Sequence, residues 1–188
     1  MSLRLIGSKG RLSQSILALI PAKSWFIEPF AGSGRVSLAL LQETRHIHTR
    51  VWLNDLDPAI YNYWIALKMH NMAFRAEAFR ILREYNTTSA MREWYMRERR
   101  LVRDLGTLSS IPDRAATYFL LCAYSYRRTG LPNESFQEHD WNSPRRLSAT
   151  LNKMARLEPL LERAEVTNLD YWDCIQATPS EESYYFFD

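Results

Sequence analysis

Trp25-Phe26-Ile27-Glu28-Pro29-Phe30-Ala31-Gly32-Ser33-Gly34, continuing as Arg35-Val36-Ser37-Leu38-Ala39-Leu40-Leu41, is the stretch from which the fold is read. Trp25 to Ile27 reads as a short buried strand. Glu28 to Gly34 is a turn of small residues, and Val36, Leu38, Ala39, Leu40 and Leu41 suit a following helix. Val51-Trp52-Leu53 predicts a second strand that ends at Asn54-Asp55. Asp57-Pro58 opens a helix that runs to about residue 70, with Ile60, Trp64 and Leu67 on one face. Strand, glycine loop, helix, strand, helix is the unit of a doubly wound parallel sheet, so the chain reads as α/β.

The flanks extend this pattern. Leu12, Ile16, Leu19 and Ile20 have helical spacing, and Pro21 ends that helix. From about residue 72 to 160 the sequence turns helical, Arg-rich and aromatic. Met91, Trp94, Leu101, Val102 and Leu105 mark one helix face, and Thr117 to Tyr126 is an apolar helical stretch. Residues 127–144 hold Gly130, Pro132 and Pro144 and read as an exposed loop or hairpin. Leu147, Leu151, Met154 and Leu157 predict one helix over 145–163. Glu165 to Asn168 and Ser183 to Phe187 are third and fourth strand candidates. The organisation expected is therefore a sheet domain from 1–71 and 164–188, interrupted by a helical domain over 72–163.

Composition narrows the function classes. At 188 residues and 46% hydrophobic content, the chain is one compact domain or one domain with a sizeable insertion, and it is too apolar for disorder. No apolar run reaches the ~18 residues of a membrane span. The opening Met1 to Gly10 turns polar before a signal-peptide core forms. Two cysteines, Cys122 and Cys174, build neither a disulfide framework nor a Cys-rich zinc site, and the default compartment is the cytoplasm. The net charge of +3 is uneven: residues 72–163 carry 16 Lys and Arg against 11 Asp and Glu. Twenty of the 24 bases are Arg, whose planar fork suits phosphates and guanine edges. A basic helical segment hints at nucleic acid; a solvated face laced with ion pairs is the alternative. His46 and His48 lie two apart with no further ligand in reach, so no metal site is expected.

The loop residues point to a ligand. Glycines let a ligand approach the backbone closely. Asp55, 23 residues after Gly32, ends the second strand, where doubly wound folds place an acid on ribose hydroxyls. Glu28 at the loop mouth would repel a pyrophosphate and welcome a cation. S-adenosylmethionine combines a ribose, an adenine and a sulfonium cation with no phosphate. Against this stand plainer readings: Glu28 ion-paired in a tight turn, and Asp55 as a helix cap.

Phe26 to Gly34 resembles the first motif of the Dam-like adenine-N6 DNA methyltransferases, and Leu53-Asn54-Asp55-Leu56-Asp57-Pro58 resembles their second. Gly7-Ser8-Lys9 resembles the amino-terminal segment that serves the methionine end of the cofactor. Asn168-Leu169-Asp170-Tyr171 resembles the segment whose Asp contacts the adenine. Tyr184-Tyr185-Phe186-Phe187-Asp188 is similar to the run into the catalytic Asp-Pro-Pro-Tyr motif. The resemblance implies a Rossmann-like methyltransferase sheet with a helical DNA-recognition insertion, and S-adenosylmethionine as methyl donor. It implies double-stranded DNA as partner, and a monomer that needs neither metal nor membrane. The implied cofactor residues are Gly7, Lys9, Glu28, Pro29, Phe30, Ala31, Gly32, Ser33, Gly34, Asn54, Asp55, Asp170 and Tyr171. Lys9 as a surface lysine and Asp170 as a turn residue are the plainer alternatives.

The implied catalytic residue is Asp188, which would accept from the target N6 amino group while an aromatic ring stacks on the flipped base. The sequence stops at Asp188, without the two prolines and the aromatic residue that follow in the family. The expectation is a sheet incomplete at its carboxyl end, with cofactor binding partly kept and methyl transfer absent or crippled. A cofactor- or DNA-binding remnant, or an enzyme acting on RNA adenine or cytosine N4, are the alternatives. Tyr124-Ser125-Tyr126-Arg127-Arg128 stands where the family carries a loop that enters DNA, so Tyr124, Tyr126, Arg127 and Arg128 are the implied DNA contacts. The alternative for both tyrosines is that they finish a buried helix.

Overall fold

The computed structural model describes residues 12–21, 23–101, 110–127, 134–138, 142–178 and 180–187. Within them the chain divides into two compact units. One runs from residue 12 to Tyr61 and resumes at Pro159; the other is Asn62–Glu158.

The first unit is the sheet. Its strands are β1 (Trp25–Glu28), β2 (Arg50–Asn54), β3 (Ala164–Thr167) and β4 (Ser183–Tyr185). They lie in the order β3-β2-β1-β4, all parallel. Phe26 is level with Val51 and Tyr184, and Leu53 with Glu28 and Val166. Consecutive residues of β1 and β2 are buried, from Phe26 to Glu28 and from Val51 to Asn54, so both faces of the central strands are covered. The ring of Phe26 stacks on Tyr184 at 6.0 Å and on Phe186 at 6.2 Å. On Ile27 and Trp52 packs the buried Cys174, with Trp25 and Tyr185 beside them. Burial pushes the Cys174 thiol up to about 11, so it behaves as a small apolar residue.

Helices α1 (Ser13–Leu19) and α2 (Arg35–Gln42) also belong to this unit and pack against each other. Arg163, directly ahead of β3, donates to the carbonyls of Leu41, His46, Ile47 and Thr49. It thereby satisfies the open carbonyls at the end of α2 and of the 3-10 turn Thr44–His46. This arginine, counted among the bases of the helical segment, is thus committed to the sheet.

His46 is buried in that turn. Its Nε2 accepts from Arg45 Nε at 3.2 Å, and Nδ1 has no hydrogen-bond partner among the described residues. Burial holds its pKa below the ordinary 6.5, the Arg45 charge lowers it further, and Glu43 opposes both. The unfolded chain therefore binds a proton here at a pH where the folded chain does not. Stability contributed by neutral His46 is present above about pH 6.5 and is lost as the pH falls below it. Thermal melts at pH 7.5 and 5.5 should show a larger loss for the wild type than for His46→Gln. Equal losses would mean that His46 is not the titrating group.

The second unit is helical. After α3 (Pro58–Met69), in which the unit boundary falls, come α4 (Asn71–Glu84), α5 (Thr88–Leu101), α6 (Ile111–Tyr124) and α7 (Pro144–Met154). Ser110 caps α6 by accepting from Asp113 N, with Pro112 in the first turn. Every residue of α6 from Ala115 to Tyr124 is buried, as an all-round apolar helix requires. Around it runs a chain of aromatic contacts from Tyr63 to Phe74 to Phe119, at 5.9 and 6.0 Å. Asn71, buried, donates through Nδ2 to Leu67 O and Met154 O and ties α3, α4 and α7 together.

One expected helix is divided. The pattern over 145–163 resolves into α7, a turn at Ala155–Leu157, and a short α8 (Glu158–Leu161). Pro159 is the physical reason: its ring clashes with the carbonyl four residues back and it has no N–H to bond there, so the helix breaks and restarts with proline in its first turn. Among the described residues no helix is long and apolar enough to cross a membrane, and no group of three or more His, Cys, Asp or Glu is placed to hold a metal ion.

Candidate functional site

The strand order creates a place for a ligand before any side chain is considered. From β1 the chain moves to β2 on one side, while β4 pairs on the other, so the connections diverge at β1. In open parallel sheets the crevice outside the carboxyl ends of the strands at such a point is where ligands bind.

The loop from Pro29 to Gly34 leaves β1 at that end. Gly32 and Gly34 have φ of 46° and 55°, in the left-handed region where a Cβ is penalised. Gly34 is the N-cap of α2, so a backbone turned by two glycines opens directly onto a helix amino terminus. The loop is tied to the end of β2 and to the residue after it: Ala31 N donates to Asn54 O at 2.8 Å, and Gly32 N donates to Asp55 Oδ2 at 2.8 Å. The other Asp55 oxygen accepts from Asp57 N at 3.0 Å, and Asp57 Oδ1 accepts from Ala59 N at the start of α3. The capping role open to Asp55 thus belongs to Asp57. Burial raises the Asp55 pKa above the ordinary 3.8; the two N–H bonds oppose this and the Asp57 charge adds to it. Glu28, at the end of β1, is buried at 3% exposure.

Rings stand exposed at the same end. Phe30 packs against Tyr171 at 5.5 Å and against Phe187 at 6.4 Å, and all three are about half exposed. Tyr171 begins α9 (Tyr171–Gln176), a helix the sequence reading did not contain. Asp170 caps it: its Oδ1 accepts from Trp172 N at 2.9 Å. As an N-cap, Asp170 opens a helix that neither its reading as an adenine contact nor its reading as a turn residue contains. Phe187, expected at the end of the fourth strand, lies beyond β4 and beside Phe30.

Burial sets two of the expected site residues in the interior. Asn54 does not offer its side chain to a ligand: it is 0% exposed and its amide is fully engaged by Pro29, Thr167 and Leu169. Tyr124 does not face solvent either. It is buried and stacked on Phe136 at 5.6 Å with 10° between the rings, and burial pushes its hydroxyl pKa up. Tyr124 is the last residue of α6 and completes its buried face, whereas the resemblance groups it with Tyr126.

Tyr126 is different, at 63% exposure. It follows an antiparallel bridge between Ser125 and Phe136, flanked by Tyr126 N to Ser135 O and Gln137 N to Tyr124 O. Glu134 anchors this hairpin base. Its Oε2 accepts from Arg127 N at 2.7 Å, and its carbonyl accepts from Tyr95 OH and Arg99 Nη1. Burial pushes the Tyr95 hydroxyl up to about 12. Arg97 is paired with Glu98 and Tyr85, and Arg80 with Glu77 and Glu84. Part of the basic face is thus occupied by ion pairs within its own helices. Gly7, Lys9, Arg128 and Asp188 lie outside the described residues.

A family model described as D12 class N6 adenine-specific DNA methyltransferase matches residues 5–156. A search of curated proteins finds no match.

Proposed function

The chain belongs to the D12 class N6 adenine-specific DNA methyltransferase family, and from that premise we propose that its sheet unit binds S-adenosylmethionine at the carboxyl ends of β1, β2 and β3. The observation that carries this reading is the hydrogen bond from Gly32 N to Asp55 Oδ2. It brings a carboxylate and two positive-φ glycines to one point at the diverging strands.

The residues fit the cofactor piece by piece. A Cβ at Gly32 would stand where the loop turns, so glycine keeps the backbone open to close approach. Asp55 retains lone pairs beyond its two N–H contacts and accepts from ribose hydroxyls. The half-exposed rings of Phe30 and Tyr171 offer apolar faces to a purine. Glu28 makes the loop hostile to phosphate and favourable to a cation. Gly7, Lys9, Pro29, Ala31, Ser33, Gly34 and Asp170 complete the site by resemblance. The bound cofactor supplies an electrophilic methyl group, and the nucleophile is the N6 amine of a DNA adenine. Asp188 accepts a hydrogen bond from that amine, which keeps its lone pair on nitrogen. Positioning supplies most of the acceleration.

In this reading the helical part of residues 72–163, up to Glu158, is the target-recognition part, acting on DNA inside the cell. The exposed Tyr126 ring and the exposed Arg127, held at the Ser125–Phe136 bridge that Glu134 anchors, contact the duplex, and the resemblance adds Arg128 to them.

Calorimetric titration tests the cofactor assignment. The 188-residue chain should bind S-adenosylmethionine and should leave NAD, with its pyrophosphate, unbound. Equal binding of both would remove Glu28 as the discriminating group. A chain that is folded by circular dichroism yet binds neither would end the cofactor reading.

A further inference from the structure

Asn54 is a polar side chain at 0% exposure in the middle of the candidate site, and every one of its hydrogen-bonding positions is filled. Its Nδ2 donates to Pro29 O at 3.1 Å and to Leu169 O at 3.0 Å. Its Oδ1 accepts from Thr167 Oγ1 at 2.7 Å and from Leu169 N at 2.9 Å. The orientation of the amide follows from its partners, since two carbonyls can only accept and a backbone N–H can only donate. Thr167 Oγ1 in turn accepts from Trp52 Nε1 at 2.7 Å, which leaves its own proton for Asn54.

These partners belong to different strand ends. Pro29 is in the glycine loop after β1, Asn54 closes β2, and Thr167 and Leu169 are the end of β3 and the segment after it. The main chain adds two more ties, Ala31 N to Asn54 O and Asp55 N to Thr167 O, and Asn168 Nδ2 donates to Asp55 O at 2.7 Å. The parallel ladder itself stops at Glu28 with Leu53 and at Asn54 with Thr167. Past that level the loops have no sheet register of their own, and Asn54 supplies it.

We propose that Asn54 is a positioning residue: its side-chain amide locks the Pro29 loop to the Leu169 segment, and so fixes Phe30 and Gly32 relative to Tyr171 for a nucleoside ligand. The proposal rests on the cofactor reading for the identity of that ligand. No other natural side chain of this length offers two donors and an acceptor in one plane. Aspartate would turn two donors into lone pairs facing two carbonyls, and alanine would leave all four partners unmatched in a buried place.

The test compares three variants. Asn54→Ala should raise the Kd for S-adenosylmethionine roughly tenfold to a hundredfold, the scale expected when supporting contacts that orient a site are lost. Asn71→Ala removes the same amide from a buried position of the helical unit, where it holds Leu67 O and Met154 O. It should lower the melting temperature and leave the Kd unchanged. Thr167→Val, which deletes one hydroxyl, should raise the Kd by a smaller factor, and Thr167→Ser should restore it. Thr167→Val carries the test if Asn54→Ala does not fold. Amide hydrogen exchange supplies a readout without ligand: in the Asn54→Ala or Thr167→Val variant, residues 30–32 and 168–171 should exchange faster, and in Asn71→Ala they should not. A wild-type Kd in both site variants, or an equal rise in Asn71→Ala, overturns the proposal. So does unchanged exchange in both loops. If the wild type itself fails to bind S-adenosylmethionine, the cofactor reading falls, while the exchange comparison still decides the clamp.

Discussion

Replacing Phe26 with alanine should lower the unfolding free energy by about 3–5 kcal/mol, the cost of deleting a buried aromatic ring and leaving its cavity. Few positions in the sheet unit stand to lose more. Phe26 is fully buried in β1, one of the two strands with neighbours on both sides, and its ring meets Tyr184 and Phe186 of the outer strand and its extension. Tyr184 and Phe186 lose their stacking partner together, so β4 is loosened as well as the core. Domains of this size are stable by ~5–15 kcal/mol, so a large share of the total is removed. Chemical denaturation measures it: the midpoint should fall sharply in Phe26→Ala and by much less in Phe26→Leu, which refills most of the volume. A loss under about 1 kcal/mol would mean that the sheet interior repacks around the gap, contrary to its close-packed geometry.

Asp55→Ala should weaken S-adenosylmethionine by about 1–3 kcal/mol, the cost of leaving polar groups unpaired. Two losses combine. The ribose hydroxyls lose their acceptor, and the Gly32 and Asp57 amides lose the carboxylate that holds the glycine loop against β2. Asp55→Asn is not a mild substitute, because its amide group would point N–H at N–H on one of those two contacts. The raised pKa adds a pH signature: binding through ionised Asp55 should fade on acidification at a higher pH than an exposed aspartate would give. Titration of both variants against the wild type checks the affinity, and a pH series on the wild type checks the sign. An unchanged Kd in Asp55→Ala would remove Asp55 from the site.

Much of the sheet unit is legible in the sequence because its signals are local. Trp25 to Leu41 is strand, turn and helix in direct succession, and Val51 to Asn54 ends on polar residues where the strand does. Asp55 and the glycines announce themselves by position alone. What the sequence withholds are the long-range contacts. Nothing in the spacing of Asn54 and Leu169 says that one amide serves both, since they are 115 residues apart. Tyr124 and Tyr126 look alike as a pair, and only the end of α6 at Tyr124 separates a core ring from an exposed one. The arginines of the helical segment carry the same ambiguity: Arg163 caps carbonyls of the sheet unit and Arg75 bonds Leu151 O, roles that net charge cannot anticipate.

The strand order also sets a timetable. β1 finds β2 across a short connection, with Trp25 level with Arg50, but its other neighbour begins with Ser183 at the same level. During synthesis the central strand must therefore wait, with one hydrogen-bonding edge open, until the whole helical segment has left the ribosome. Contacts so distant along the chain are slow to form because loop closure must precede them. Residues 62–158, whose contacts are largely among themselves, can organise in the interval. Phe26 is then a late-folding residue whatever its place at the centre of the sheet. The unpaired edge of β1 is the surface most exposed to mispairing or a chaperone before Tyr184 arrives.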